Sequence, residues 1–190
     1  MTSTTRSPTD RRRRGLTLVE VLVAVTLATT VLAGVLTTML MIGRNGLAIG
    51  NYADMSAQGR KGLEQFAQDT RQASEIVWNS TSSVTFTVDG ASILYTYDSS
   101  GGTFTRRAAG ATTTLIRGIT SFQFIGYTIT GVDVSGANDL TTAAGRVAAA
   151  KVTKQMQISL TITRTSVVSA SVTNAVLSAR YTLRNKRVTA

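Results

Sequence analysis

From residue 16 to residue 42 the chain carries a single charge, Glu20. About twenty consecutive apolar residues suffice for a helix to span the hydrocarbon core of a bilayer, so these 27 positions are long enough, with some tilt. Valine and threonine dilute helix propensity, but in lipid the backbone must hydrogen-bond to itself, and helix follows. Four arginines at 11–14 precede the run and one, Arg44, comes after it. That asymmetry predicts a cytoplasmic N-terminus, with the rest of the chain on the far side of the membrane. A carboxylate inside such a helix costs on the order of 3 kcal/mol on insertion scales. Glu20 is therefore read as a functional position, against the blander reading that it snorkels to the nearby interface.

Other export signals fit less well. A cleaved signal peptide has an apolar core of about 7–15 residues, shorter than this one. A plain signal-anchor leaves Gly15 and Glu20 unexplained. A twin-arginine signal accounts for the arginines, but not for the length or apolarity of the segment after them.

The stretch G-L-T-L-V-E, Gly15 through Glu20, has a short basic leader before it and a long apolar run after it. It resembles the class III signal of type IV pilins and type II secretion pseudopilins. The resemblance implies that a prepilin peptidase cuts after Gly15 on the cytoplasmic side and methylates the new N-terminus, Leu16. Leucine departs from the phenylalanine usual at that place. It also implies a role for Glu20, the fifth residue after the cut, in subunit assembly and register. Once the leader is removed, Leu16 has a free α-amine, and Glu20 of an incoming subunit can meet the amine of a neighbour. Pairing within a helix bundle would offset the desolvation of both charges and set the axial register.

Beyond the run, Gly43, Arg44, Asn45 and Gly46 predict a break or flexible point at the membrane surface. Then Tyr52, Met55, Gly59, Leu63, Phe66, Thr70, Ala73 and Val77 recur at spacings of three and four. Asp54, Gln58, Arg60, Lys61, Glu64, Gln68, Asp69, Arg71 and Gln72 lie opposite. This is a helix with one stripe on a core, carried to about residue 78. If continuous from residue 16, it would be about 95 Å long at 1.5 Å per residue. The run from Leu63 to Ile76 resembles the end of the long helix in J-type minor pseudopilins and W-type minor pilins, with Asp69, Arg71 and Ala73 at the matching positions.

After Trp78 the period changes to two. Residues 79–83 read as a loop. Val84, Phe86 and Val88 alternate with threonines, and Asp89-Gly90 predicts a two-residue hairpin turn into 92–97. Residues 99–102 form a second turn into 103–107. Residues 115–129 read as one longer strand or two short ones, and 130–150 as an irregular surface excursion. Val152, Met156, Ile158, Leu160 and Ile162 face one way on the clearest strand, and Leu177, Ala179, Tyr181 and Leu183 on the last. Leu115, Ile116, Gly118, Ile119, Phe122, Phe124 and the final Arg184-Asn185 extend the J/W-type resemblance over nearly the whole chain. Phe122, Phe124 and Met156 are read as core.

The formal charge of +10 divides by region. The first fifteen residues hold a net +4, and the remaining +6 is spread thinly over fifteen basic and nine acidic side chains. Nucleic-acid binding needs a concentrated basic face, so nucleic acid is not the expected partner. A DNA-uptake role using Arg106 and Arg107 is the alternative, as is an uncleaved membrane-anchored binding domain. The chain lacks cysteine and histidine, which excludes disulfides, thiolate nucleophiles, Cys/His zinc sites and histidine-based triads. Asp133, Asn138 and Asp139 are read as turn residues rather than a hard-cation loop. No catalytic, cofactor or metal residue is assigned.

The expected architecture is α+β, a pilin-like ladle in which a long N-terminal helix packs on an antiparallel β-sheet head. Its parts are a leader at 1–15, a membrane and filament-core helix at 16–45, an amphipathic half-helix at 46–78 and a β head at 79–190. The implied partners are the prepilin peptidase, other pilin or pseudopilin subunits, the inner-membrane assembly platform and the membrane. A minor subunit that initiates or caps a pilus or type II secretion pseudopilus is the implied function. It is a structural role, not an enzymatic one.

Overall fold

The computed structural model describes residues 17–165 and 172–187. Its elements in chain order are helix α1 (Leu18–Gln72), strands β1 (Glu75–Ser80), β2 (Ser83–Val88), β3 (Ala91–Asp98), β4 (Thr103–Ala108), β5 (Ala111–Arg117) and β6 (Ile119–Tyr127), helix α2 (Ala143–Val152), and strands β7 (Gln155–Thr165) and β8 (Val172–Thr182). The class is α+β, a long N-terminal helix with antiparallel sheets, as the sequence predicts. The chain divides into two compact units, Met1–Arg44 and Asn45–Ala190. Helix α1 continues through Gly43 and Gly46, so those residues do not break it.

In the first unit every described side chain is exposed, and α1 is long and apolar enough to cross a membrane. Its threonines do not waste hydrogen bonds. Thr26 donates to the carbonyl of Val23, Thr30 to Thr26, Thr37 to Ala33 and Thr38 to Gly34, at 2.8–2.9 Å. Each hydroxyl is satisfied by the preceding turn of its own helix, which is what a Thr-rich segment needs in a medium without water.

In the second unit the predicted stripe is largely buried: Met55, Gly59, Leu63, Phe66 and Thr70. Tyr52, at one end of the stripe, is exposed instead. Phe66 is the hub. Its ring lies 5.6, 5.1 and 6.1 Å from those of Phe86, Tyr95 and Phe104, and 5.8 and 6.0 Å from those of Phe124 and Tyr181. One helical side chain thus joins both halves of the head through edge and stacked aromatic contacts.

The helix ends at Gln72, not at 78. Residues 75–80 pair with β2, Ile76 opposite Phe86 and Trp78 opposite Val84, with Ile76 and Trp78 buried and Val77 half exposed. Two registers overlap here: Ala73 and Val77 extend the helical spacing, but β-branched Ile76 and Val77 beside Trp78 favour a pleated surface. The expected loop at 79–83 shrinks to a turn, since Asn79 and Ser80 belong to β1 and Ser83 to β2.

The head is two sheets rather than one: a five-stranded meander β1-β2-β3-β4-β5 and a three-stranded sheet β6-β7-β8. Residues 115–129 hold parts of two strands, parted by Gly118. Its φ of +77° is a conformation only glycine adopts without strain. An added Cβ there would lie 2.9 Å from the Thr163 carbonyl oxygen, and Gly118 itself accepts from the Thr163 N–H at 2.8 Å. The chain leaves one sheet and enters the other at this residue.

The 130–150 excursion also holds more structure than expected: a short 3-10 turn, Val134–Gly136, and the start of α2. Thr142 caps α2, its hydroxyl accepting from the Gly145 N–H at 3.1 Å, and the alanines that come next have the highest intrinsic helix propensity. Val152 consequently ends α2 instead of opening β7.

Candidate functional site

Of the three N-terminal positions singled out, Gly15 and Leu16 lie outside the described residues. Glu20 lies within them, in the first turn of α1. Its backbone N–H donates to the hydroxyl of Thr17 at 3.2 Å. Thr17 thus caps the helix, and Thr17-x-x-Glu20 has the spacing of a capping box. A carboxylate in the first turn is also favoured by the partial positive charge of the helix N-terminus. This local role was missed in the sequence, although the four-residue spacing was legible there. The side chains around Glu20 leave it among exposed hydrocarbon: Leu18, Val19, Val21 and Leu22 are all open to solvent. An apolar surface of this extent is covered in use by lipid or by other apolar helices.

The family model for the prokaryotic N-terminal methylation motif matches residues 10–36. That motif supports a type IV pilin-like subunit. No curated protein matches the chain. The matched span contains Gly15, Leu16 and Glu20 together with most of the apolar run. It implies processing by a peptidase and assembly with other pilins, and with the apolar helix it supports membrane anchoring.

A second polar cluster sits where the pilin-like helix meets the head. Asp69, expected on the solvent face, is only 4% exposed. Its Oδ2 accepts from the Tyr95 hydroxyl at 2.6 Å and from the Arg106 Nε at 2.7 Å, and its Oδ1 from the Gln65 amide at 3.3 Å. Burial, and next the bond to Asp69, push the Tyr95 phenol well above its ordinary range. Asp69 likewise raises the Arg106 guanidinium, against its desolvation. The cluster fastens α1 to β3 and β4. With the carboxylate engaged by three donors, no group in it is poised to attack or to move a proton.

Arg106 is therefore committed inward, and only Arg107 of that pair is exposed. Asp133 and Asp139 hold their own turns: the Oδ1 of each accepts from the N–H and hydroxyl of Ser135 and Thr141 respectively. Those two hydrogen bonds hold the Asp139 carboxyl below its usual range.

Proposed function

We propose that the chain is a minor subunit of a type IV pilus or a type II secretion pseudopilus. In this reading a prepilin peptidase removes residues 1–15 and methylates the amine of Leu16. The apolar helix anchors the subunit in the inner membrane with the head in the periplasm, and an assembly platform then lifts it into a filament that it initiates or caps. The observation that carries the reading is the methylation-motif match over residues 10–36. The long helix with antiparallel sheets supports it, and the fastening to Arg106 gives a physical reason for an aspartate at 69, one of the three positions that match the minor-subunit resemblance.

Glu20 has two duties in this reading. It supports the first turn of its own helix, and in the filament it meets the Leu16 amine of a neighbour. The processing step is tested by co-expression with a prepilin peptidase and intact mass measurement. The expected product lacks fifteen residues and carries one added methyl group, and Gly15→Leu abolishes both changes. A Gly15→Leu chain that is still shortened at the same bond, or a parent chain left whole, overturns the proposal. Glu20→Ala separates the two duties, because the chain should be processed as the parent yet enter filaments poorly.

A further inference from the structure

A hollow of about 680 Å³ opens in the head beside β1, bounded by α2 and by the residues beyond β8. Part of its lining is apolar, from Val77, Trp78 and Val147. Its charged lining is four cations, Arg146 and Lys151 from α2 and Lys186 and Arg187 from beyond β8, against one carboxylate, Glu75. Among the described residues the ion pairs are Asp69 with Arg106 and Asp54 with Arg164. None of the four lining cations is in either pair.

Neutral groups hold two of them. Arg146 donates to the carbonyls of Leu140 and Thr141 at 3.3 and 2.8 Å, and the Lys186 Nζ donates to the carbonyl of Lys151 at 2.8 Å. Carbonyls fix the position of a cation without cancelling its charge. A fifth cation, Lys154, donates to the carbonyls of Arg184 and Lys186 close by. Lys186 is only 7% exposed. Burial, and next the charge of Lys154, hold its ammonium below the usual range, with Glu75 acting in the opposite sense. Like charges gathered round one concavity repel and weaken the fold. A ligand that carries negative charge would relieve that repulsion.

We propose that this hollow binds an acidic peptide segment of a partner protein. The carboxylates of that segment would meet the cations of the rim, and an apolar side chain would rest on Val77 and Val147, the apolar lining residues that are open to solvent. A pocket with hydrocarbon in its lining and a few placed charges suits a peptide side chain. A nucleic-acid backbone needs an extended basic stripe, and the strands around this hollow do not supply one. The proposal is independent of which machine the chain serves.

The test uses the full chain in non-ionic detergent and fluorescence anisotropy with a labelled peptide of alternating aspartate and leucine. The same peptide with asparagine for aspartate, and a short single-stranded DNA, are the comparisons. The aspartate peptide should bind and the asparagine peptide should not. Lys151→Glu with Arg187→Glu, both exposed positions, should weaken binding about tenfold or more. The control pair Arg60→Glu with Lys61→Glu makes the same change in net charge on α1, and should shift binding by less than about twofold. Absence of binding, equal binding of the asparagine peptide, equal losses in the two double variants, or tighter binding of the DNA would each overturn it.

Discussion

At the scale of single residues, the side chain that most repays attention is Asp69. It lies 26 positions before Tyr95 and 37 before Arg106, and meets both inside the head. The helical period placed it among solvent-facing charges, because a pattern of threes and fours sorts residues by polarity and cannot see a partner on a distant strand. Removing one member of a buried pair leaves the other charged and underpaired. Asp69→Ala is therefore expected to destabilise the head by about 3 kcal/mol, a value at the low end for buried pairs because Arg106 is partly open to solvent. Arg106→Ala should cost less, and a double-mutant cycle by urea unfolding should show the two effects to be non-additive. Tyr95 gives a pH signature. The fold holds its pKa above the ordinary 10.0, so it favours the neutral phenol. That contribution is complete below pH 10 and is lost as pH rises through the folded value. Stability measured by urea unfolding should fall more steeply above pH 10 in the parent than in Tyr95→Phe.

The elements divide into those whose signals are local and those decided by tertiary contacts. Strand β2 was legible because Val84, Phe86 and Val88 alternate inward, and its turn because Asp89-Gly90 favours two positive φ angles, observed at 49° and 79°. The β4–β5 hairpin uses the same turn, with φ of 50° at Ala109 and 79° at Gly110. It went unread because alanine is a poor resident of that conformation. The end of α1 and the strand at 75–80 were hidden for another reason, since pairing with β2 overrides a helical spacing that continues past Gln72. The alanine turn gives a prediction. Asparagine tolerates positive φ far better, so Ala109→Asn should stabilise the head by about 0.5–1 kcal/mol. A thermal melt that is unchanged or lowered would show that the turn is not strained by Ala109.

For the molecule as a whole, the division at Arg44 and Asn45 parts a segment whose described side chains are all exposed from a unit with its own core. The long apolar run was legible from the first residues because it leaves so little choice of environment. The two-sheet head was not, since nothing short of the Gly118 conformation marks where one sheet stops. Among the described residues the buried hydrophobic side chains all lie from Met55 to Leu183, and the described part of the first unit contributes no buried side chain. The stability of the head should therefore be independent of the N-terminal segment, because the contacts that offset chain entropy lie within residues 45–190. A chain that begins at residue 45 should stay in aqueous solution without detergent and unfold in a single cooperative transition. Its midpoint should match the head transition of the full chain to within about 4 °C, the shift that roughly 1 kcal/mol would produce in a domain of this size. The full chain should partition into a detergent phase, and the shortened one should not. Aggregation of the shortened chain, or a midpoint lowered by much more than that margin, would mean that the first 44 residues hold the head together and that the two units are not independent.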